Sequence, residues 1–453
     1  MTHKSRLCIR GFEEENPPRA DSPTTGKNTL RMFLGLAAAN NWKIEMIDIR
    51  AAFLQSDPLE RVVLIKPPKE FRRDGDTVWL LNKPVYGLND ASRRWFLTAK
   101  RLLEKLNCKP LTLDNSAYIY RNQEGNLSGF LTIHVDDFLV GGNKEFKTKV
   151  IEELMKILKT SCREQDKFRY IGWDICQDEN GIQIDQNAYK ETIEPVKISF
   201  SRMHQTDHEL NEYEKKQYQK VLGQLTWITS QSRPDIRFKV LERSIKANKP
   251  LVADLIQINL VVKKLKKTSY NILIPIISKD PSRYTIMAFS DASVHNLPGN
   301  VSSTKAYIIF LRCENKVIPL TWSSKKIARV CKQIILAECI ALSSAIDEAA
   351  VMRDTLIEAI YNGDTNDTSI PITVYTDSYS VFSNIYSDNP AEDLKLRREV
   401  AGIKQQIDWK EIKCVKWVQD KLQLADCLTK ATASPTELIR VLQSGLIPSL
   451  CYN

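Results

Sequence analysis

Two adjacent aspartates, Asp136 and Asp137, interrupt an apolar run, with Leu127–Ile133 before them and Phe138–Val140 after them. Both flanks carry the β-branched and aromatic content of strands, so the pair occupies a strand-to-strand turn. Two neighbouring ionised carboxylates repel each other and lose hydration where they are partly buried. A divalent cation held between them removes that cost. Asp48 stands near the end of another strand-like stretch, Trp42–Ile49, in which Ile44, Met46 and Asp48 share one face. If the two stretches lie in one sheet, three carboxylates converge on a site for two divalent ions about 3.5–4 Å apart. The plainer alternative is an ordinary turn, where Asp is common.

The surrounding pattern places these acids in an α+β framework. A polar, Pro-rich loop covers 13–28, and a helix is expected around Leu30–Asn40. Residues 91–106 put Trp95, Ala99, Leu102, Leu103 and Leu106 on one stripe, an amphipathic helix. Tyr118–Tyr120 and Leu127–Ile133 are expected strands joined through Gly125-Asn126, Gly141-Gly142 ends the strand after the Asp pair, and Phe146–Leu158 is a second amphipathic helix. Strand, helix, strands and helix in this order predict a sheet with helices on one face. Residues 208–270 are helical and basic. After Pro275 strands at Tyr284–Phe289 and Ala306–Leu311, a helix at Ile335–Ile360 and a strand at Ile372–Tyr375 predict a separate α/β domain.

That second domain has its own set of separated acids. Asp291 follows a strand, Glu338 lies on the long helix, Asp377 ends a strand and Asp426 precedes the last helix. Four acids at element ends can form another two-metal site, suited to hydrolysis of a phosphodiester. Taken one at a time, each is equally readable as a solvated surface acid.

Charge narrows the partner. Residues 1–270 carry 45 Lys+Arg against 35 Asp+Glu, whereas 271–453 carry 20 of each, so the whole net charge of +10 lies in the first part. Such an excess favours polyanions through phosphate contacts and counterion release. Ten scattered cysteines with no C-x-x-C pair argue against zinc and fit a reducing compartment. No signal peptide and no run of 18 apolar residues is present.

In order along the chain, the motifs resemble the copia-type (Ty1/copia) retrotransposon Pol polyprotein, in its reverse transcriptase and ribonuclease H region. Lys4-Ser5-Arg6-Leu7 through Phe12, Asp48-Ile49-Arg50-Ala51-Ala52-Phe53-Leu54, and Val85-Tyr86-Gly87-Leu88 through Arg94-Trp95 are similar to its first three boxes. His134-Val135-Asp136-Asp137, Tyr170 through Ile175, and Gly223-Gln224-Leu225 through Ser232-Arg233-Pro234-Asp235-Ile236 are similar to the following three. Trp322-Ser323-Ser324-Lys325-Lys326, Ala337-Glu338-Cys339 and Ala425-Asp426-Cys427-Leu428-Thr429-Lys430 resemble its ribonuclease H segments.

The resemblance implies a right-hand polymerase (fingers, palm, thumb) followed by an α/β ribonuclease H-like domain. Its expected boundaries are 1–200 for an N-terminally truncated fingers and palm, 201–280 for a helical thumb or connection, 281–435 for ribonuclease H, and 436–453 for a C-terminal tail. Asp48, Asp136 and Asp137 are implied as polymerase metal ligands, and Asp291, Glu338, Asp377 and Asp426 as nuclease ligands. Each site would hold two Mg²⁺, with Mn²⁺ as a substitute. At the first site one ion activates the primer 3′-hydroxyl and the other steadies the leaving pyrophosphate. Lys4 and Arg6 are implied at the incoming triphosphate, Phe53 as the steric gate against a 2′-hydroxyl, and Gly87 where backbone approaches template or nucleotide. Ile171, Gly172 and Trp173 are implied at the primer end.

Two departures stand out. His134 replaces the family's usual aromatic residue, and no histidine follows His295, where many ribonucleases H carry one before their last Asp. The expected partners are an RNA template, a DNA primer, RNA–DNA hybrid and deoxynucleoside triphosphates, without a membrane, in cytoplasm, virus-like particle or nucleus. Two other readings stay open: a non-catalytic nucleic-acid-binding relic, and a ribonuclease H working alone on a crippled polymerase scaffold.

Overall fold

The computed structural model describes residues 7–72, 77–299, 302–361, 370–389 and 391–449. Lys4 and Arg6 lie outside the described residues. The chain is a mixed α/β protein of two compact bodies, residues 1–30 with 42–170 and residues 31–41 with 171–453.

In the first body, strand β1 (Ile44–Ile49), helix α1 (Ala91–Lys105), and strands β2 (Cys108–Pro110), β3 (Ala117–Arg121), β4 (Leu127–His134), β5 (Asp137–Gly142) and β6 (Thr160–Gln165) follow in chain order. The strands assemble in the order β2-β3-β4-β5-β1-β6. Helix α1 and the helical run 144–157, wound as a π-helix over Lys147–Glu152, contribute Trp95, Leu103, Val150 and Leu154 to one buried cluster with Ile47, Phe138 and Val140. Their apolar stripes match the helical period, so both helices bury against the same core. Trp95 stacks on Phe138 with ring centroids 6.3 Å apart.

Gly141 and Gly142 close β5, as expected, and rings occupy the space above them: a Cβ on Gly142 or Gly129 would meet the Phe146 ring at 2.3 or 2.2 Å. Glycine is required here for close packing.

The second body begins with β7 (Trp173–Asp178) and β8 (Gly181–Asp185), continues through helices α2 (Glu212–Gln231), α3 (Arg237–Ile245) and α4 (Val252–Lys267), and closes its first sheet with β9 (Ile272–Pro275). Strand β8 pairs antiparallel with both β7 and β9. That pairing ties 171–185 to strands beyond the helices, so they pack with the second compact body. Helix α2 starts with a capping box, Asn211 and Glu214 each bonding the other's backbone N–H.

Strands β10 (Tyr284–Ser293), β11 (Thr304–Cys313), β12 (Lys316–Lys326), β13 (Ile372–Thr376) and β14 (Cys414–Trp417) form a five-stranded sheet in the order β12-β11-β10-β13-β14. The first three are antiparallel, and β13 and β14 run parallel to β10. Helix α5 (Ile334–Tyr361) packs on β10 and β11.

Buried cations fasten this body. Arg31 lies between the rings of Trp322 and Trp173, 3.9 and 5.4 Å from their centroids, and donates to the carbonyls of Leu320 and Gln231. Arg233 forms a buried bidentate pair with Asp235, which also accepts from the Tyr270 hydroxyl at 2.8 Å. Trp322 donates its indole N–H to the Thr229 carbonyl at 2.8 Å. The WSSKK segment thus holds sheet to helix α2 through Trp322, and the SRPD segment is tied to the end of α4 through Arg233 and Thr268.

The segment expected as a C-terminal tail is a packed element. Helix Thr436–Ser444 buries Leu438, Val441 and Leu442, ends on Gly445 at φ 63°, and accepts the Val317 N–H through the Gly445 carbonyl. Its short amphipathic pattern covers the β9 and β12 edge.

Two glycine substitutions should move stability in opposite directions. Gly129→Ala forces a methyl into the Phe146 ring and should cost about 1–3 kcal/mol. Gly402→Ala, with open space around its Cβ in helix 394–408, should gain about 0.5–1 kcal/mol. Urea unfolding of both variants checks the signs; a neutral Gly129→Ala contradicts the packing.

Candidate active sites

The first acid cluster is built by strand register. Asp48 on β1 lies directly opposite Asp137 on β5, and the Ile49 N–H donates to the Asp136 carbonyl at 2.8 Å. His134 pairs with Asp137 across a two-residue turn, so Val135 and Asp136 form its tip. Val135 sits at φ 55°, in the left-handed region that a β-branched residue rarely adopts. Such strain costs on the order of 1–3 kcal/mol and persists only where the surroundings impose it. The two-residue hairpin requires it at its first central position, and Trp95 braces the turn, donating its indole N–H to the Val135 carbonyl at 2.5 Å. The R-x-W box on α1 and the Asp pair are therefore one structural unit.

Burial, then the charges of Asp136 and Asp48, push the Asp137 carboxyl up to about 6. Burial pushes His134 down, against the pull of Asp136, and its Nδ1 has no hydrogen-bond partner. This ring packs as a mostly neutral group at neutral pH.

A cleft of about 640 Å³ opens beside the acids, lined by Asp48, Asp136, Arg50, Ala51, Val85 and Tyr86 among others. Phe53, expected as a gate, packs in the core beneath the cleft against Tyr86, ring centroids 4.9 Å apart. Tyr86 is the aromatic wall that the sequence reading passed over, and Arg50 the missed cation. Their only sequence signal was adjacency to Gly87 and Asp48. Gly87 is explained differently from expectation: at φ 88°, its Cβ position lies 2.0 Å from the Ile9 carbonyl oxygen. The close approach it permits is to the chain's own backbone, where Gly11 N–H donates to the Gly87 carbonyl.

Ile171 and Gly172 form a turn with φ 48° and 75°, beside the half-exposed Trp227. Trp173 is 1% exposed, donates to Gln231 Oε1 at 3.0 Å and faces Arg31, so its side chain lies in the core beneath that turn.

The second cluster is tighter. Asp291, Asp377 and Asp426 each bring an oxygen within 4.8 Å of the others, which no other trio among the described residues does, Asp48, Asp136 and Asp137 included. Asp291 and Asp377 come from the ends of the adjacent parallel strands β10 and β13. Glu338, on α5, stands next to this trio, bonded to the Ala292 backbone, and the charges of Asp291 and Asp377 add to burial in raising its carboxyl. Burial raises all three of Asp291, Glu338 and Asp377, and the mutual repulsion of the acids adds to it.

The donor set fits a divalent cation. Glu338 Oε2 is buried without a hydrogen-bond partner, and hard carboxylate oxygens gathered this closely need a positive charge. Lys430 supplies one internally. Its ammonium donates to Asp426 and stands 3.4 Å from Asp291, while Thr429 donates to Asp291. Burial works against the Lys430 charge, but the surrounding carboxylates outweigh it and raise its pKa. Gln423 bonds the Ser290 carbonyl at 2.9 Å and Asp377 at 3.4 Å. Lys430 was visible in the sequence only as a motif letter, four residues after Asp426.

Removing this ammonium tests the electrostatics. Lys430→Met should destabilise the metal-free chain by about 1–2 kcal/mol, the partial exposure of Lys430 tempering the usual cost of breaking a buried pair. Mg²⁺ should then raise the Tm of the variant more than that of the parent chain. Equal Mg²⁺ responses in thermal unfolding would contradict the role.

Residues 1–201 match the family described as Reverse transcriptase (RNA-dependent DNA polymerase). The Retrovirus-related Pol polyprotein from transposon RE2 of Arabidopsis thaliana is 24% identical over 94% of this chain and 29% of its own length. The corresponding polyprotein from transposon TNT 1-94 of Nicotiana tabacum is 24% identical over 80% of this chain and 28% of its own. The chain thus spans less than a third of these relatives. Ribonuclease H1 from Halobacterium salinarum is 18% identical over 32% of this chain and 94% of its own, with a TM-score of 0.24. The foamy viral protease-reverse transcriptase in complex with dsDNA is 11% identical over 83% of this chain and 68% of its own, with a TM-score of 0.20. At those scores the structural likeness establishes no shared geometry.

Proposed function

From a chain whose first 201 residues match the reverse transcriptase family, and which is similar to copia-type Pol polyproteins over 94% of its length, we propose an RNA-directed DNA polymerase joined to a ribonuclease H. In this reading 1–200 act as fingers and palm, 201–280 as thumb, and 281–435 as the nuclease. The observation that carries it is the gathering of sequence-distant acids into two clusters, Asp48 beside Asp136 and Asp137, and Asp291 beside Glu338, Asp377 and Asp426.

Asp48, Asp136 and Asp137 would hold two Mg²⁺ at the first site, and Asp291, Glu338, Asp377 and Asp426 two at the second. When bound, these ions supply charge neutralisation and nucleophile activation for phosphoryl transfer. The chain's own residues do the positioning. Trp95 holds the strained Val135 turn, and with it the direction of the Asp136 carboxylate. Arg50 offers a cation to a triphosphate in the cleft. Tyr86, backed by Phe53, forms the wall on which a sugar lies, so an added 2′-hydroxyl meets the paired rings. The turn at Ile171-Gly172 with Trp227 offers a primer-side surface. At the nuclease, Gln423 orients Asp377, and Thr429 with Lys430 orient Asp291 and Asp426.

One observation favours a second reading, a nuclease active alone: the acid oxygens are drawn together only in the Asp291 cluster. A single pair of variants separates the readings. On a homopolymer RNA template with DNA primer and Mg²⁺, Asp136→Asn should lower incorporation roughly 10³-fold or more while leaving hybrid cleavage unchanged. Asp377→Asn should do the reverse. Cleavage without incorporation by the parent chain supports the second reading; binding with neither activity overturns both.

A further inference from the structure

We infer that an exposed aromatic strip beside the Asp291 cluster is a stacking platform for a single-stranded nucleic acid that enters or leaves the nuclease. The inference rests on the nuclease reading and extends it to a surface.

The strip consists of Trp417, Tyr379, Phe382 and Tyr386. Tyr379 meets Trp417 edge-on at 6.1 Å and Phe382 at 6.1 Å, and Phe382 meets Tyr386 at 5.1 Å. Tyr379 is 64% exposed, Tyr386 50% and Trp417 43%. Single exposed apolar residues are ordinary, but contiguous ones mark interaction sites.

These rings are also held. Trp417 donates its indole N–H to the Asp377 carbonyl at 3.0 Å. The Tyr386 hydroxyl donates to the Val415 carbonyl and accepts from the Val415 N–H, both at 3.0 Å. Ser378 caps the helix Tyr379–Tyr386 that carries the other rings. These bonds satisfy backbone groups at the sheet edge and at the same time hold the exposed ring faces rigid, and rigid amphipathic rings lower the ordering cost of binding.

Continuity identifies the occupant. The strip starts at the backbone of Asp377, so whatever lies on it is continuous with whatever reaches the carboxylates. Aromatic faces stack on unpaired bases without regard to sequence, and the bases of a duplex are already stacked on each other. Lys404, at the Tyr386 end, places a cation near the path of a phosphate backbone. A single strand extending from a hybrid meets all three conditions; a protein partner has no reason to abut the acids.

The test uses the full chain in Ca²⁺, with fluorescein-labelled RNA–DNA hybrid, blunt or carrying a single-stranded DNA overhang, and an unpaired DNA oligonucleotide. Tyr379→Ala should weaken binding of the overhang hybrid and the oligonucleotide roughly 10-fold, leave blunt-hybrid affinity and cleavage unchanged, and recover with Tyr379→Trp. The overhang should quench tryptophan fluorescence in the parent chain and not in Trp417→Leu. Equal affinities for parent and Tyr379→Ala overturn the inference. So does a change in sedimenting mass without a change in affinity, which assigns the strip to a protein interface. Failure of the parent chain to cut blunt hybrid in Mg²⁺ overturns the nuclease reading instead, and oligonucleotide binding still decides the strip.

Discussion

Carboxylates removed from water and set beside one another are the constraint around which both bodies are arranged. Burial first, and the neighbouring negative charges after it, raise Asp137, Asp291, Glu338 and Asp377. A fold keeps such an arrangement only when neighbouring elements over-determine it. In the first body that duty falls to Trp95 and the β1–β5 register. In the second it falls to adjacent parallel strand ends and to Lys430, whose ammonium offsets part of the repulsion.

The same economy governs the buried cations. Arg31 has no carboxylate partner among its contacts. It is stabilised by two indole faces and by backbone carbonyls, and burial pulls its pKa down to about 9. Arg233 is matched by Asp235 and Tyr270. Arg31 fastens a helix to the five-stranded sheet and Arg233 ties the SRPD turn to the end of α4, so these motif positions have structural partners. Trp322, Trp173 and Arg233 belong to this group.

What the sequence revealed follows from locality. Asp48, Asp136 and Asp137 were legible because strand alternation and a two-residue turn are local properties, and the Asp48–Asp137 pairing needed only one shared sheet. The helix at Ala91–Lys105 was legible from its apolar stripe. The packing partners of Gly87 and Trp173, the Ile9 backbone and Arg31, were not legible because they lie far away in the chain. The strands Thr160–Gln165 and Lys316–Lys326 lack clean alternation, and the helix Thr436–Ser444 is too short for its pattern to stand out before its partner strands are known. Lys430 and Tyr86 were invisible as site residues because an ammonium or a ring acquires its role only from the geometry around it.

The central claim is that the chain has two independent cation-binding acid clusters. Mn²⁺ titration followed by electron paramagnetic resonance of the free ion tests it without requiring turnover. The account predicts two classes of bound Mn²⁺, with Asp136→Asn removing one class, Asp377→Asn removing the other, and neither substitution disturbing the class that remains. Mn²⁺ binding untouched by both substitutions, or abolished entirely by either one, would contradict it.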